Sequence, residues 1–136
     1  MAILDKLLES LKDYTSKLDE ANNVDLDSWF NLFAILHLLR VQAQSFIDLV
    51  QTLLSNMGIS SQGYRDSIRK LYEKNLITAE ERDFLISVVG FRNIIVHEYA
   101  TVNPIFVKKI MENKEYRRLL EIAYNLREKA KNYWDC

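Results

Sequence analysis

Arg92, Asn93, His97 and Tyr99 fall within two helical turns of one another, inside an otherwise apolar run. Burying that much polar capacity is costly unless the groups are paired or used. Histidine exchanges a proton near neutrality, and arginine offers a permanently charged planar fork that matches phosphate. With no set of metal ligands beside them, the two fit cleavage of an RNA phosphodiester. His97 would deprotonate the ribose 2′-hydroxyl or protonate the departing 5′-oxygen. Arg92 would stabilise charge on the pentavalent phosphorane. Asn93, four residues before His97, stands where it can orient the imidazole or the phosphate.

At about 100° per residue, Arg92 and His97 lie about 140° apart around a helix and do not converge on it. A two-fold dimer removes the difficulty, because the same patch then meets itself. It also supplies two histidines, a base and an acid, where each chain offers one. The geometry therefore predicts a composite site at a dimer seam. On spacing alone, a satisfied structural histidine is the commoner occupant of such a position. Tyr99 reads equally as an aromatic packed at a helix end, its hydroxyl in water.

The elements that must position these residues are helical. Three glycines and one proline in 136 residues leave few turns and little room for a sheet-rich fold. Residues 2–20 read as an amphipathic helix with Ile3, Leu7, Leu11, Tyr14 and Leu18 inward, and Asp25 or Asp27 as cap of the next helix. That helix should run to about Met57 and end at Gly58. Its inward residues should be Trp29, Leu32, Leu36, Leu39, Ala43, Phe46, Val50, Leu53 and Met57, with Phe30, Phe33, Ile35, Leu38 and Val41 on the flanks. So wide an apolar surface needs cover on more than one side, part of it from a second subunit.

Tyr64 to about Asn75 should form a shorter helix with Ile68, Leu71 and Tyr72 inward. Thr78 and Glu81 have the form of a capping box, opening a helix through Tyr99. Within it Gly90 removes a side chain and admits the close approach of another backbone. Asn103-Pro104 reads as a cap followed by proline in the first helical turn, and a last helix spans Glu115 to about Tyr133. The expectation is a single all-α domain over residues 1–136, an up-and-down bundle of five to six helices.

Composition narrows the partners. The formal net charge of −1 gives the chain as a whole no electrostatic footprint for nucleic acid. RNA-binding charge would have to come from local clusters: Arg65, Arg69, Lys70 and Lys74, or Lys114, Arg117 and Arg118. Either cluster reads equally as a solvated helix face. His37 shares a polar stripe with Arg40, Gln44 and Gln51, as an exposed or hydrogen-bonded structural residue or an auxiliary phosphate contact. The one cysteine, Cys136, is on a tail and suggests nothing catalytic; it gives no disulfide or zinc framework. Asp5 and Lys6 interrupt the N-terminal apolar stretch, and no uncharged apolar run is long enough to span a bilayer. A soluble cytoplasmic protein, without metal, cofactor or membrane partner, is expected.

The stretch Gly63-Tyr64-Arg65-Asp66, then Gly90-Phe91-Arg92-Asn93-Ile94-Ile95-Val96-His97-Glu98-Tyr99, then Val102-Asn103-Pro104 resembles the HepT-like branch of the HEPN superfamily. That signature is an arginine, a polar residue, three variable positions, a histidine, one further residue and a tyrosine; Arg92, Asn93, His97 and Tyr99 match each place. The resemblance implies a homodimeric helical bundle with the motif in an interface cleft. It implies a metal-independent endoribonuclease that acts as the toxin of a toxin–antitoxin pair, neutralised by a minimal nucleotidyltransferase (MNT) antitoxin. In some members that partner attaches adenylate to the motif tyrosine, here Tyr99, and so blocks a phosphate site. The weak overall basicity departs from what an RNA-binding protein usually shows. A non-catalytic HEPN module binding nucleotide, RNA or a partner nucleotidyltransferase is the alternative. The complete Arg-Asn-His-Tyr set favours the enzyme, because binding alone needs no proton-transfer residue.

Overall fold

The structure, a computed structural model, describes residues 2–135, so Cys136 lies outside the described residues. Six helices follow in order: α1 (Ile3–Glu20), α2 (Trp29–Asn56), α3 (Tyr64–Glu73), α4 (Ala79–Glu98), α5 (Pro104–Glu112) and α6 (Arg117–Lys129). Short 3₁₀ turns cover Tyr99–Thr101 and Lys131–Tyr133, and no strand occurs among the described residues. The fold is all-α.

Local chemistry sets most boundaries. Gly58, at φ +73°, ends α2 in a left-handed turn. Its N–H donates to the Ser55 carbonyl at 3.0 Å, and the Ile59 N–H to the Leu54 carbonyl at 2.9 Å. That is the paired closure glycine permits. Asn103 caps α5 by accepting the Ile105 N–H at 3.0 Å, ahead of Pro104. The last helix ends at Lys129, short of the expected Tyr133, which falls in the second 3₁₀ turn. The start of α2 differs too. Asp25 accepts the Asp27 N–H at 2.9 Å, shaping the preceding turn, and Asp27 pairs with Lys108 at 2.6 Å, so neither caps the helix. Ser28 holds the cap position and makes no side-chain cap bond.

The buried face of α1 is Leu4, Leu8, Leu11, Thr15 and Leu18. Leu11 and Leu18 are buried as expected, but Ile3 is exposed and Leu7 and Tyr14 are half-buried, so the buried stripe is turned from the expected one by less than one residue. Both stripes keep helical spacing, and α2 covers the one richer in leucine. Tyr72 on α3 is likewise exposed instead of inward, with the Arg82 guanidinium 4.4 Å from its ring centre.

Helix α2 is the hub of the bundle. By length and composition it could cross a membrane, yet half of its most apolar window is buried within the bundle, as in the core helix of a globular fold. Its second half joins Leu8, Leu11, Leu71, Leu85 and Leu126 in one cluster. Ile35, Leu36 and Leu39 join Leu18, Ile95 and Val107 in another. Its N-terminal aromatics Trp29, Phe30 and Phe33 are exposed; sequence spacing placed Trp29 inward and the other two on the flanks.

One buried polar residue ties three elements together. Gln42, 1% exposed, donates to Thr15 on α1 at 3.0 Å and to the Tyr116 carbonyl before α6 at 2.9 Å. Gln42→Leu keeps the volume but strands that carbonyl, which then has only a long 3.4 Å contact from the Leu119 N–H. A loss of about 2 kcal/mol is expected, read as a lower urea midpoint at unchanged slope.

Beside it, Asp19 accepts the Tyr116 hydroxyl at 2.6 Å and Arg117 Nε at 2.8 Å. Burial pushes the Asp19 carboxyl up, but these hydrogen bonds outweigh it and hold the group below its ordinary range. Burial, and then the bond to Asp19, push the Tyr116 phenol up to about 12. Its folded pKa is thus raised above the unfolded value of about 10. The resulting stability is complete below pH about 10 and is lost as pH rises towards 12. Tyr116→Phe should show a shallower loss of stability across that window than wild type.

Candidate functional site

Helix α4 carries the motif and is fixed at its start. Thr78 Oγ1 accepts the Glu81 N–H at 3.1 Å, and Glu81 reaches back to accept the Thr78 N–H at 2.8 Å, the reciprocal cap expected from the sequence. Leu85 and Val89 dock into the first core cluster and Ile95 into the second. Arg92 falls between these anchors.

There its geometry is closely defined. Arg92 Nε donates to Gln44 Oε1 on α2 at 3.0 Å, and Nη1 donates to Asn93 Oδ1 at 2.9 Å. The guanidinium lies 5.2 Å from the ring centre of Tyr64, the first residue of α3. Gln44 in turn donates through Nε2 to Asp48 Oδ1 at 2.8 Å. That bond fixes the amide: with its nitrogen turned to a carboxylate, its oxygen must face Arg92. An uncharged amide thus stands between Asp48 and the guanidinium, holding Arg92 without neutralising it. Among the described residues no carboxylate forms an ion pair with Arg92. The side chain borders a cavity of about 300 Å³ whose walls include Phe84, Val88, Phe91 and Phe106.

His97 lies elsewhere. It is exposed in the last turn of α4, and its imidazole bonds to no other described residue. The fold therefore does not bring His97 onto Arg92 within one protomer, as their separation around the helix requires. Asn93 is engaged by Arg92 and not by His97, so of its two expected roles the one at the phosphate, beside Arg92, is the one this contact suits. No backbone approaches Gly90; what faces it is the Arg65 guanidinium, whose Nη2 would lie 3.6 Å from an added Cβ, an ordinary contact.

Tyr99 opens the 3₁₀ turn after α4 and is 56% exposed. Its ring meets Phe33 edge-on at 5.7 Å, and the aromatic chain continues from Phe33 to Trp29 and on to Phe30 at 5.8 and 5.9 Å. Phe33, His37, Arg40, Val96 and Tyr99 line a groove of about 360 Å³ between α2 and the end of α4. In it Arg40 Nη2 stands 3.3 Å from His37 Nδ1.

Of the basic clusters, Arg69 on α3 and Lys74 just after it are exposed, Lys70 pairs loosely with Glu73 at 3.8 Å, and Arg65 lies over Gly90. The second cluster is more committed: Arg117 is bound to Asp19, and Arg118 stacks 4.1 Å from the Phe84 ring centre. The sequence reading missed Gln44 and Asp48 as supports for Arg92. A signal was present, because polar residues four apart interrupt a helix whose neighbouring positions are core.

This arrangement matches a known family over most of its length. The model of the HepT-like ribonuclease family covers residues 4–126. The chain belongs to that family. A curated relative, the mRNA nuclease HepT of Shewanella oneidensis, is 33% identical over 63 residues, which cover 45% of this chain and 47% of the relative. The chain thus matches about half the length of that relative. Within the fold, the first two of the segments that carry the resemblance are neighbours. Tyr64 and Arg65 pack against Arg92 and Gly90, while Asn103 caps the helix that follows the motif.

Proposed function

We propose that the protein is a metal-independent endoribonuclease, the toxin of a HEPN/MNT pair, cutting RNA at a site shared by two copies of the chain. Membership of a ribonuclease family and the likeness to a protein named as an mRNA nuclease support the reaction class. The observation that carries the reading is the contrast within α4: Arg92 is rigidly held with its charge uncompensated, and His97 is exposed with its imidazole unengaged. A preorganised, un-neutralised guanidinium suits a phosphorane, and a free imidazole at the surface suits proton transfer to a ligand.

The dimer reading draws support from exposed apolar side chains around the motif. Ile94, Ile105 and Phe106 join Trp29 and Phe30 as large apolar residues open to solvent. A surface of that kind marks an interaction site. Across a two-fold axis, His97 of one copy would act as base on the 2′-hydroxyl and His97 of the other as acid on the 5′-oxygen. Arg92 would stabilise the charged phosphorus centre between them. RNA should disappear at the same rate in excess EDTA as without it. Cleavage that stops in EDTA and returns with added magnesium would defeat the metal-independent reading.

An MNT antitoxin is the proposed partner, modifying Tyr99 with adenylate. The exposed hydroxyl-bearing ring at the mouth of a groove supports this. Mass spectrometry after co-expression with such a partner should place an adenylate on Tyr99, and an adduct persisting in Tyr99→Phe would assign it elsewhere. A binding module that cuts nothing is favoured by one feature only, the absence of an orienting partner for His97 among the described residues.

A further inference from the structure

The groove beside Tyr99 has chemistry of its own, separate from the Arg92 cavity. Arg40 borders it, and among the described residues no carboxylate pairs with this guanidinium. Its hydrogen-bond partner is the ring of His37, one helical turn earlier on α2. Arginine can only donate, so His37 Nδ1 must accept and the neutral ring carries its proton on Nε2. Two donors of different kinds, the remaining guanidinium N–H groups and the Nε2–H, are thus available at one spot. No carboxylate is part of the groove wall. Beside them the wall is aromatic: Phe33, one turn before His37 on the same face of α2, meets Tyr99 edge-on at 5.7 Å. A guanidinium and an imidazole N–H beside aromatic rings form the combination that holds a nucleotide: phosphate on the donors and base against the rings.

We infer that this groove is a nucleotide subsite in which Arg40 and His37 bind a phosphate of single-stranded RNA while its base packs against Phe33 and Tyr99. The inference rests on the ribonuclease reading for the identity of the strand, but not for the binding chemistry. Under it, the subsite fixes the register of the strand, so that a neighbouring phosphate reaches Arg92 and His97. It also gives Tyr99 a second consequence. An adenylate on its hydroxyl would fall within reach of the donors that otherwise hold the RNA.

The test is a titration with 5′-AMP followed by NMR of the imidazole resonances. The chain has two histidines, so the two sets of signals are separable by the His37→Gln variant. Millimolar AMP is expected to shift the His37 ring signals, with adenosine binding about tenfold more weakly because it lacks the charge-assisted bonds. Arg40→Gln should weaken AMP to a similar degree, whereas Lys12→Gln on the exposed face of α1 should not. His37 signals unmoved by AMP, or moved equally by adenosine, would overturn the subsite. The assay needs no cleavage. A protein that binds AMP here but leaves RNA intact would retain the subsite and lose the ribonuclease reading. One that cuts RNA yet ignores AMP at His37 would do the opposite.

Discussion

His97→Ala is expected to cut RNA about 10³-fold more slowly than wild type, within the range that positioned acid–base groups contribute. The structure makes this a clean experiment. His97 is exposed and bonded to no other described residue, so its removal leaves no cavity and no stranded partner. Substitutions of that kind change stability by about 0.5 kcal/mol or less, and the melting temperature should match wild type. Equal rates in the two proteins would remove His97 from the chemistry.

Arg92→Lys should lower kcat by about 10²-fold with little change in KM, although the positive charge is kept. Lysine lacks the fork that lets Arg92 donate at once to Gln44 and Asn93 while lying over Tyr64. An ammonium there is a point charge free to wander. The loss therefore measures positioning rather than charge. Because the side chain is half-buried, Arg92→Lys will also destabilise the fold somewhat, and rates must be compared well below its melting temperature. A lysine variant with wild-type kcat would mean that Arg92 acts only as a diffuse positive charge, or not at all.

Much of this was legible in the chain itself. The capping box at Thr78, the glycine stop at Gly58 and the Asn103–Pro104 start depend on chemistry within a few residues, and each formed as read. What failed depends on neighbours. The α1 stripe was right at Leu11 and Leu18 but not at Ile3, Leu7 and Tyr14, because two overlapping stripes keep helical spacing and only the packing of α2 selects between them. Trp29, Phe30 and Phe33 carry every apolar sign of core and are nonetheless exposed. Periodicity records which side of a helix avoids water, and it does not record whether the cover comes from the same chain.

The site divides along the same line. Arg92, Asn93, His97 and Tyr99 stand out by type and spacing, and the calculated angle between Arg92 and His97 anticipated their separation in the protomer. The support of Arg92 by Gln44 and Asp48 joins residues 48 positions apart at its key bond, which spacing cannot show. Spacing left Asn93 open between the imidazole and the phosphate, because residues four apart share a helix face, and it could not show that the adjacent arginine takes its side-chain oxygen.

The claim on which the rest depends is that two copies of the chain build each cutting site together. It is tested by refolding a fixed amount of wild type with a growing excess of His97→Ala and measuring RNA cleavage. A shared site predicts that activity per wild-type chain falls in proportion to the wild-type fraction, as active chains are drawn into mixed dimers. Activity per wild-type chain that stays constant, with mixed dimers demonstrated by mass, would contradict it.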